Sequence, residues 1–422
     1  MLVALVVMGV YYGRDALSSA PQSKTSAEAN DVYVRFDMEA YDKIQSEYWD
    51  KTPDAALTEL FRLSLQKAAN SSETLATSTR TAVAEMIANR FAEATSTDAK
   101  RALALNVVQV ALYNLQPIGR DQLFSKQQQV ALRQEVANVN PTSDLYGDLG
   151  LAKGASPAEI NTAYQKKTVE LAHATSSAAL EEKKQVAYAH TVLGSPASKN
   201  MYDQAKIEPT VFGKVIGKTL YFNLTRISPT TLQEFALAVD NASTTPGLDS
   251  IIFDVRGNIG GSLDFLQAFL GIFIGNNQYA FDLYRKGEYQ AQRTTQPQFG
   301  ELSRFKDIAI LTDNMTQSTA ELTAGVFKRY HLAHVVGDTT RGWGTVENTY
   351  LMSTVIDPAT SYALLLVNNI TLRDDNVPIE GRGVTPDVSV KDKNWQKLLP
   401  QYFHSASLIT ALKKVATNPP IK

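Results

Sequence analysis

The stretch from Ile308 to Glu347 decides how this chain folds. It reads IAILTDNMTQ from Ile308, STAELTAGVFKRYHLAHVV from Ser318 and GDTTRGWGTVE from Gly337. The first five residues predict a strand, the polar residues after them a loop, and the segment from Ser318 a helix with an apolar face. A hydroxyl at a helix N-terminus lies at the positive end of the helix dipole, where free backbone N–H groups can bind an oxyanion. This arrangement suits a nucleophilic serine.

The same residues also fit a purely structural role. Ser318 and Glu321 have the spacing of a capping box, in which the serine side chain and the glutamate side chain each bond a backbone N–H of the other residue. Helix caps are common and nucleophilic serines are rare. Both interpretations stay open on these residues alone.

Two further segments carry glycine turns. Upstream, an apolar run ends at Asp254 and Arg256 and leads into Gly260-Gly261, which permits positive φ and close backbone approach. Downstream, a glycine-punctuated segment contains Thr340, and a last motif, EGRGVTPDV, begins at Glu380. Asp254 and Arg256 either orient the glycine turn or form a structural ion pair at the strand end.

In this order, the stretches resemble the C-terminal processing peptidases, also called tail-specific proteases, between about Lys214 and Val390. The shared patterns are D-[LV]-R-x-N-x-G-G, a serine three residues before a glutamate, G-[ED]-x-T-x-G-K-G and G-x-G-V-x-P-D. The resemblance implies a mixed α/β core of the crotonase/Clp-like type and a serine peptidase that cuts near the C-termini of poorly folded proteins.

The resemblance also implies a role for individual residues. Ser318 would be the nucleophile, and the backbone N–H groups of Gly260 (or Gly261) and Thr319 would form the oxyanion hole. The supporting residues would be Asp254, Arg256, Glu321 and Thr340.

Two positions depart from the family pattern. The general base of the family is the lysine of G-K-G, and this chain has Trp343 there. A serine hydroxyl is a weak nucleophile without a nearby base, and an indole N–H donates but does not accept a proton. An acidic residue that the family has on the helix after the serine is replaced by Arg329. The Ser–Lys pair is therefore absent.

Other residues are candidates to replace the lysine. Distant relatives use Ser–His–Glu, and Glu380 could be the orienting acid of such a triad. Candidate bases are His331, His334, Lys218 and Lys328. The alternative for each is an ordinary exposed side chain.

The composition bounds the class of protein. The chain has 422 residues, enough for two or three domains; 44% are hydrophobic, 20% are charged, and the net charge is −2. This balance offers no electrostatic case for nucleic acid. Without cysteine there are no disulfides or thiolate metal ligands, and we expect neither a metal nor a cofactor.

The first 30 residues predict a tether. Residues 1–13 are apolar and uncharged but shorter than the roughly 20 residues of a membrane span, so we interpret them as the end of a truncated anchor. A buried N-terminal strand is the alternative. Residues 31–140 show helical periodicity, and their sequence contains no pattern that suggests a catalytic or binding site.

Residues 143–205 resemble a J domain, the module through which Hsp40 proteins stimulate Hsp70. The resemblance is carried by DLYGDLGL from Asp144, by ASPAEI from Ala155 and by MYD from Met201. Ser156, Pro157 and Glu159 predict a capped helix start. The functional His-Pro-Asp of J domains is missing, since His173 is followed by Ala and Thr. We therefore expect the fold without an Hsp70 interaction.

Within the core, 207–392, the sequence predicts a buried strand over 249–255, helices over 229–239 and 263–273, and a hairpin about Lys286-Gly287. A C-terminal helix is expected near 407–415 in the tail, 393–422. The overall expectation is a multidomain α+β protein, membrane-anchored and extracytoplasmic. It would be a serine endopeptidase with a polypeptide substrate or a pseudo-peptidase that binds peptides as an adaptor.

Overall fold

The computed structural model describes residues 25–421, which divide into two compact units. The first unit contains residues up to Ala131 together with Phe281–Gln292 and Trp343–Gly381. The second contains Leu132–Ala280, Arg293–Gly342 and the chain from Arg382 onward. The predicted core, 207–392, contributes to both units.

The core elements follow the predicted order, whereas residues 31–140, predicted to be helical throughout, also contain the strand Gln122–Ser125, which pairs with a strand of the core. The α-helices are α1 (Ser26–Asn30), α2 (Val32–Glu47), α3 (Asp54–Ala69), α4 (Arg80–Ala92), α5 (Thr97–Tyr113), α6 (Lys126–Val136), α7 (Leu145–Asp148), α8 (Pro157–Glu170), α9 (Ser177–Gly194), α10 (Pro196–Ala205), α11 (Thr231–Ala242), α12 (Leu263–Ile274), α13 (Thr319–Arg329), α14 (Trp395–Leu398) and α15 (Ala406–Val415). The strands are β1 (Gln122–Ser125), β2 (Val211–Ile216), β3 (Thr219–Leu224), β4 (Ser250–Asp254), β5 (Tyr279–Arg285), β6 (Glu288–Arg293), β7 (Asp307–Thr312), β8 (His334–Gly337), β9 (Thr345–Leu351), β10 (Tyr362–Thr371) and β11 (Val388–Ser389). The predicted central strand, hairpin and tail helix are confirmed.

The first unit packs helices α1–α5 against an antiparallel sheet. Strand β10 is the centre of that sheet and pairs with β1, β9 and β5. The apolar faces of the helices and of β10 form one core, in which Phe36, Tyr41 and Phe61 are fully buried. The β5–β6 turn places Lys286 and Gly287 at φ +49° and +86°, as tight hairpin turns require.

The second unit is built on a sheet with the order β11-β8-β7-β4-β3-β2. All neighbouring pairs are parallel except β2 with β3, so β2 is an antiparallel edge strand. The carboxyl ends of β4, β7 and β8 therefore meet at one edge of the sheet. In open α/β sheets this edge is where ligand sites lie.

Both faces of this sheet are covered. On one face, phenylalanines from β3, β4 and α11–α13 pack together, and ring centroids of Phe253 and Phe269 lie 5.3 Å apart. On the other face, α14 and α15 pack Trp395 and Leu408 against Ile252 and Leu311. Burial on both faces explains why residues 251–253 are apolar without alternation.

Helices α7–α10 form a small helical cluster within the second unit. Ser156 caps α8, Pro157 is its first residue and Glu159 completes the capping box, as predicted. Ile160 and Tyr202 lie in the buried core of the cluster. The resemblance of residues 143–205 to a J domain stays a prediction.

The predicted anchor, residues 1–13, lies outside the described residues. Among residues 25–421, no helix is both long enough and apolar enough to cross a membrane.

A buried carboxyl group lies beside the sheet of the first unit. Asp121 is fully buried, its Oδ1 accepts the Val367 N–H at 2.7 Å, and its Oδ2 has no hydrogen-bond partner in the described part of the chain. Burial, with a smaller contribution from the nearby carboxylate of Glu347, raises the pKa of Asp121 to about 7.

We expect Asp121→Asn to increase the free energy of unfolding by about 2–4 kcal/mol at pH 8 and to change it little at pH 4. The folded-state pKa is raised, so the native protein binds more protons than the unfolded chain between about pH 4 and pH 7. The contribution of protonated Asp121 to the free energy of unfolding is therefore lost as the pH rises through this window. Urea unfolding from pH 4 to pH 8 measures the effect. Asp98→Asn, whose side chain is 86% exposed, is the control. Equal curves for Asp121→Asn and the parent at pH 8 would contradict the prediction.

Candidate active site

The candidate site lies in the second unit, where three loops follow the carboxyl ends of β4, β7 and β8. The loop after β4 is the glycine turn, and the loop after β7 ends at Ser318. Three hydrogen bonds join these two loops: Gln317 N–H to the Asn258 carbonyl at 2.9 Å, Gly257 N–H to Asp313 at 3.0 Å, and the Thr316 hydroxyl to the Val255 carbonyl at 2.9 Å. These bonds hold the two loops together.

Ser318 has an unusual backbone conformation. It lies at φ 55° and ψ −130°, immediately before α13, and its side chain is partly exposed. Few residues other than glycine have positive φ, and such a conformation costs on the order of 1–3 kcal/mol. An ordinary N-cap has an extended backbone instead. Ser318 and Glu321 form the predicted capping box, but the backbone conformation of Ser318 differs from that of an ordinary N-cap.

Glu321 stabilises that conformation from inside the protein. Its side chain is fully buried; Oε2 accepts the Ser318 N–H at 2.9 Å, and Oε1 accepts the Thr340 hydroxyl at 2.5 Å and the Gly342 N–H at 2.7 Å. Thr340 Oγ1 also accepts the Val384 N–H at 2.7 Å. One carboxylate thus joins the serine to the loop after β8.

The glycine turn touches Ser318 directly. A Cβ added to Gly260 would lie 2.7 Å from the Ser318 Cβ and 2.9 Å from the Thr319 nitrogen, and one added to Gly261 would lie 1.7 Å from the Ile227 carbonyl oxygen. Both residues have positive φ, +88° and +150°. Only glycine fits at these two positions.

Two backbone N–H groups near Ser318 are available for a developing oxyanion. The Gly260 N–H already donates to Asn258 Oδ1 at 2.8 Å, so of the two glycines Gly261 is the better candidate. Thr319 is the first residue of α13, and its N–H therefore has no partner within the helix. The Thr319 hydroxyl donates to the Gly261 carbonyl at 2.8 Å, which joins the two candidates.

Asp254 and Arg256 form a bidentate ion pair, with nitrogen–oxygen distances of 2.9 and 2.6 Å. The guanidinium also donates to the carbonyls of Val415, Ala416 and Asn418 at the end of α15. The pair therefore ties the root of the glycine turn to the C-terminal segment. This geometry favours the structural interpretation over a direct catalytic one.

Two of the four candidate bases are engaged by another side chain, and the other two lie beyond the far ends of α13 and of the sheet. Lys328 lies in the last turn of α13, about 15 Å along the helix from Ser318. Its ammonium group lies 3.1 Å from Asp387, and His334 lies 3.7 Å from the same carboxylate. His331 follows α13 and is exposed, and Lys218 precedes β3, at the opposite end of the sheet from the glycine turn.

Trp343 and Glu380 belong to the first unit, within a charged cluster that also contains Arg120 and Glu347. The Trp343 indole donates to Glu347 Oε1 at 3.0 Å, and the Arg120 guanidinium stacks 3.5 Å from the centre of the indole ring. Glu380 accepts from Arg120 at 2.7 Å and from the Gly344 N–H at 2.8 Å. Burial raises the pKa of Glu347. These partners differ from the histidine that a Ser–His–Glu triad would place on Glu380.

The sequence patterns gave no role to Arg120 or Glu347. Glu347 could have been noticed from its position four residues after Trp343. Arg120 lies in a loop of the helical region, more than 200 positions from its partners, and no local signal marks it. Among residues 25–421, no cluster of three or more His, Asp and Glu could hold a metal ion.

Comparison with known proteins agrees with this architecture. The model of peptidase family S41 matches residues 218–390. A probable CtpA-like serine protease of Staphylococcus saprophyticus is 28% identical over 178 residues, which cover 42% of this chain and 34% of that protein. Its counterpart in Staphylococcus epidermidis is 31% identical over 153 residues, 36% of this chain and 30% of that protein.

Among solved structures, the photosystem II D1 C-terminal processing protease has a similar fold. The TM-score is 0.50 at 14% identity, over 87% of this chain and 94% of that one. This chain spans only about a third of the length of the two staphylococcal proteins it matches. The similarity to peptidase family S41 covers residues 218–390, and the likeness to the processing protease is one of fold.

Proposed function

We propose that this protein is a serine endopeptidase of the tail-specific kind, which acts on extended C-terminal segments of polypeptides with Ser318 as nucleophile. The backbone of Ser318 carries the proposal. A positive φ at a serine is costly, and here a fully buried carboxylate, Glu321, is used to stabilise it. A helix cap alone would not need this conformation.

In the proposed reaction, the Ser318 hydroxyl oxygen attacks the carbonyl carbon of the scissile peptide bond. The N–H groups of Gly261 and Thr319 donate to the oxygen on which negative charge develops, aided by the N-terminus of α13. The proton lost by the Ser318 hydroxyl passes to the leaving amine as the C–N bond breaks. Water then attacks the acyl-enzyme ester, which releases the new carboxyl terminus and returns a proton to the Ser318 oxygen.

The proton acceptor in the first step is not a lysine of the G-K-G type, because Trp343 occupies that position and its indole cannot accept a proton. The Lys and His side chains considered in the second unit are distant from Ser318 or engaged by Asp387. We therefore assign no residue to the role of general base.

A second candidate function is favoured by the same replacement. Trp343 donates to Glu347 and stacks on Arg120, so the position of the base is filled by a structural cluster. In other serine peptidases, loss of the base removes most of the rate. The alternative is a pseudo-peptidase that binds extended peptides without cutting them.

Labelling with a fluorophosphonate separates the two candidates. We expect the purified protein to be labelled covalently and Ser318→Ala to give no label, because the probe reacts with activated serines only. Mass spectrometry of the labelled peptide identifies the residue.

Ser303→Ala, which changes an exposed serine elsewhere in the second unit, serves as the matched control and should be labelled like the parent. Absence of label from the parent, with folded protein by circular dichroism, would reject the peptidase and favour the pseudo-peptidase.

We also expect Glu321→Gln to slow the labelling at least tenfold and to lower the free energy of unfolding by about 1–3 kcal/mol. All three partners of the carboxylate donate hydrogen bonds. An amide offers one accepting oxygen, so its NH₂ group would face a donor. Glu301→Gln, on an exposed glutamate, is the control. Labelling of Glu321→Gln at the parental rate would show that the carboxylate is not needed to position Ser318.

The cellular setting is proposed on the sequence only. We propose a membrane-tethered, extracytoplasmic protein that does not interact with Hsp70. Fractionation of cells that produce the full chain tests the first part, and an Hsp70 ATPase assay tests the second. Recovery in the cytoplasmic fraction, or stimulation of the ATPase, would contradict it.

A further inference from the structure

A groove of about 820 Å³ lies in the second unit, away from Ser318. The first residues of α10 form one wall, α11 forms the other, and strand β2 runs between them; Ile421 lies at one end. No residue of the glycine turn or of the loop before α13 lines it. The groove is a separate feature of the fold.

Strand β2 presents an unpaired edge in this groove. It is the last strand of the sheet and pairs only with β3 on its other side. The Thr225 N–H donates to the Thr210 carbonyl at 2.9 Å. This bond fixes which residues of β2 hydrogen-bond to β3 and which direct their backbone groups outward. Because the two kinds of residue alternate in antiparallel pairs, the N–H and C=O groups of Gly213 and Val215 point away from β3.

The exposed edge is suited to another backbone. Residues 213–215 are exposed. Edge strands in natural proteins are usually covered, short or bulged, because they can pair with other chains. An open edge between two helices is the arrangement used for recognition by strand addition.

An exposed cation in the groove favours an acidic partner. Among the described residues, Lys214 and Glu234 are the only charged ones that line the groove. Glu234 is occupied by the backbone N–H groups of Thr210 and Val211, at 2.6 and 3.0 Å, and by the Thr230 hydroxyl. Lys214 is exposed and forms no ion pair with any side chain in residues 25–421. The donors to Glu234 are neutral, so the two formal charges cancel, and Lys214 is the charged group left to pair with an acidic side chain.

The groove also offers apolar contacts on alternate sides of the edge. Leu237 of α11 is 45% exposed and lines the groove, and Val215 of β2 is 43% exposed. Phe212 points to the other face of β2, where its ring centre lies 6.0 Å from that of Tyr188. Side chains that alternate along an extended peptide would meet these surfaces in turn.

The wall made by α10 is firmly joined to the core. The Tyr188 hydroxyl of α9 donates to the Glu208 carboxylate at 2.6 Å. The Asn138 side chain donates to the backbone carbonyl of Glu208 at 2.8 Å. Val139 forms an isolated bridge with Ile207. The helical cluster thus has a role that its sequence resemblance does not suggest: it supplies one wall of the groove.

We propose that this groove binds an extended, acidic polypeptide segment, which adds a strand to the free edge of β2. The proposal deepens the proposed function, because the bound segment would belong to the polypeptide on which the protein acts. It does not require catalysis, so it can be tested in protein that cannot cleave.

The experiment uses the full chain with Ser318→Ala and a fluorescein-labelled peptide, Glu-Val-Thr-Val-Thr-Val-Glu, followed by fluorescence anisotropy. Gly213→Pro removes the outward N–H and blocks the edge, while the ladder with β3 loses no hydrogen bond; proline is tolerated in this way on edge strands. Lys214→Glu replaces the exposed cation of the groove with an anion. Lys393→Glu makes the same change at an exposed lysine outside the groove.

We expect Gly213→Pro to weaken peptide binding by about tenfold or more and Lys214→Glu by about three- to tenfold, with Lys393→Glu unchanged. The peptide should also slow amide exchange in residues 211–216. A Lys-for-Glu version of the peptide should bind the parent more weakly and Lys214→Glu more tightly. This exchange of preference would not arise from a general loss of folding.

Two results would overturn the proposal. One is equal binding by the parent, Gly213→Pro and Lys214→Glu, or no binding by any of them. The other is a parent that sediments as a dimer which Gly213→Pro dissociates, with no peptide bound, because the edge would then pair two copies of the chain. The fluorophosphonate result is independent: labelled Ser318 without peptide binding rejects the groove only, and peptide binding without label rejects catalysis only.

Discussion

The arrangement of the candidate site depends on one buried carboxylate. Glu321 is surrounded by donors from three places in the chain: the Ser318 N–H, the Thr340 hydroxyl and the Gly342 N–H. A buried carboxylate is stable only when such partners replace its lost hydration. The strained backbone of Ser318 and the position of the loop after β8 are therefore stabilised together.

The glycine turn completes this arrangement from the other side. The contact between Gly260 and Ser318 leaves no space for a side chain, and the Thr319 hydroxyl bonds the Gly261 carbonyl. Below it, Asp254 and Arg256 connect the turn to the end of α15. The C-terminal helix thus supports the site although it contributes no reactive group to it.

The local part of the site could be predicted because its parts are neighbours in sequence. A strand, a loop and a helix that opens with Ser318 place the hydroxyl and the Thr319 N–H together in any fold that forms them. The features that favour a nucleophile over a cap are not local. They are the φ of Ser318 and the full burial of Glu321, which depend on contacts with distant segments such as the glycine turn and Thr340.

Periodicity and glycine placement are short-range properties of the chain, so they alone predict several elements. These are the buried strand β4, the β5–β6 hairpin and the apolar face of α13. They do not predict the peptide groove or the cluster of Arg120, Trp343, Glu347 and Glu380. The members of the groove and of the cluster come from distant segments, and nothing in one segment specifies its partner in another. Sheet order and helix packing bring them together, because burying apolar faces places the strands and helices before any polar contact forms between them.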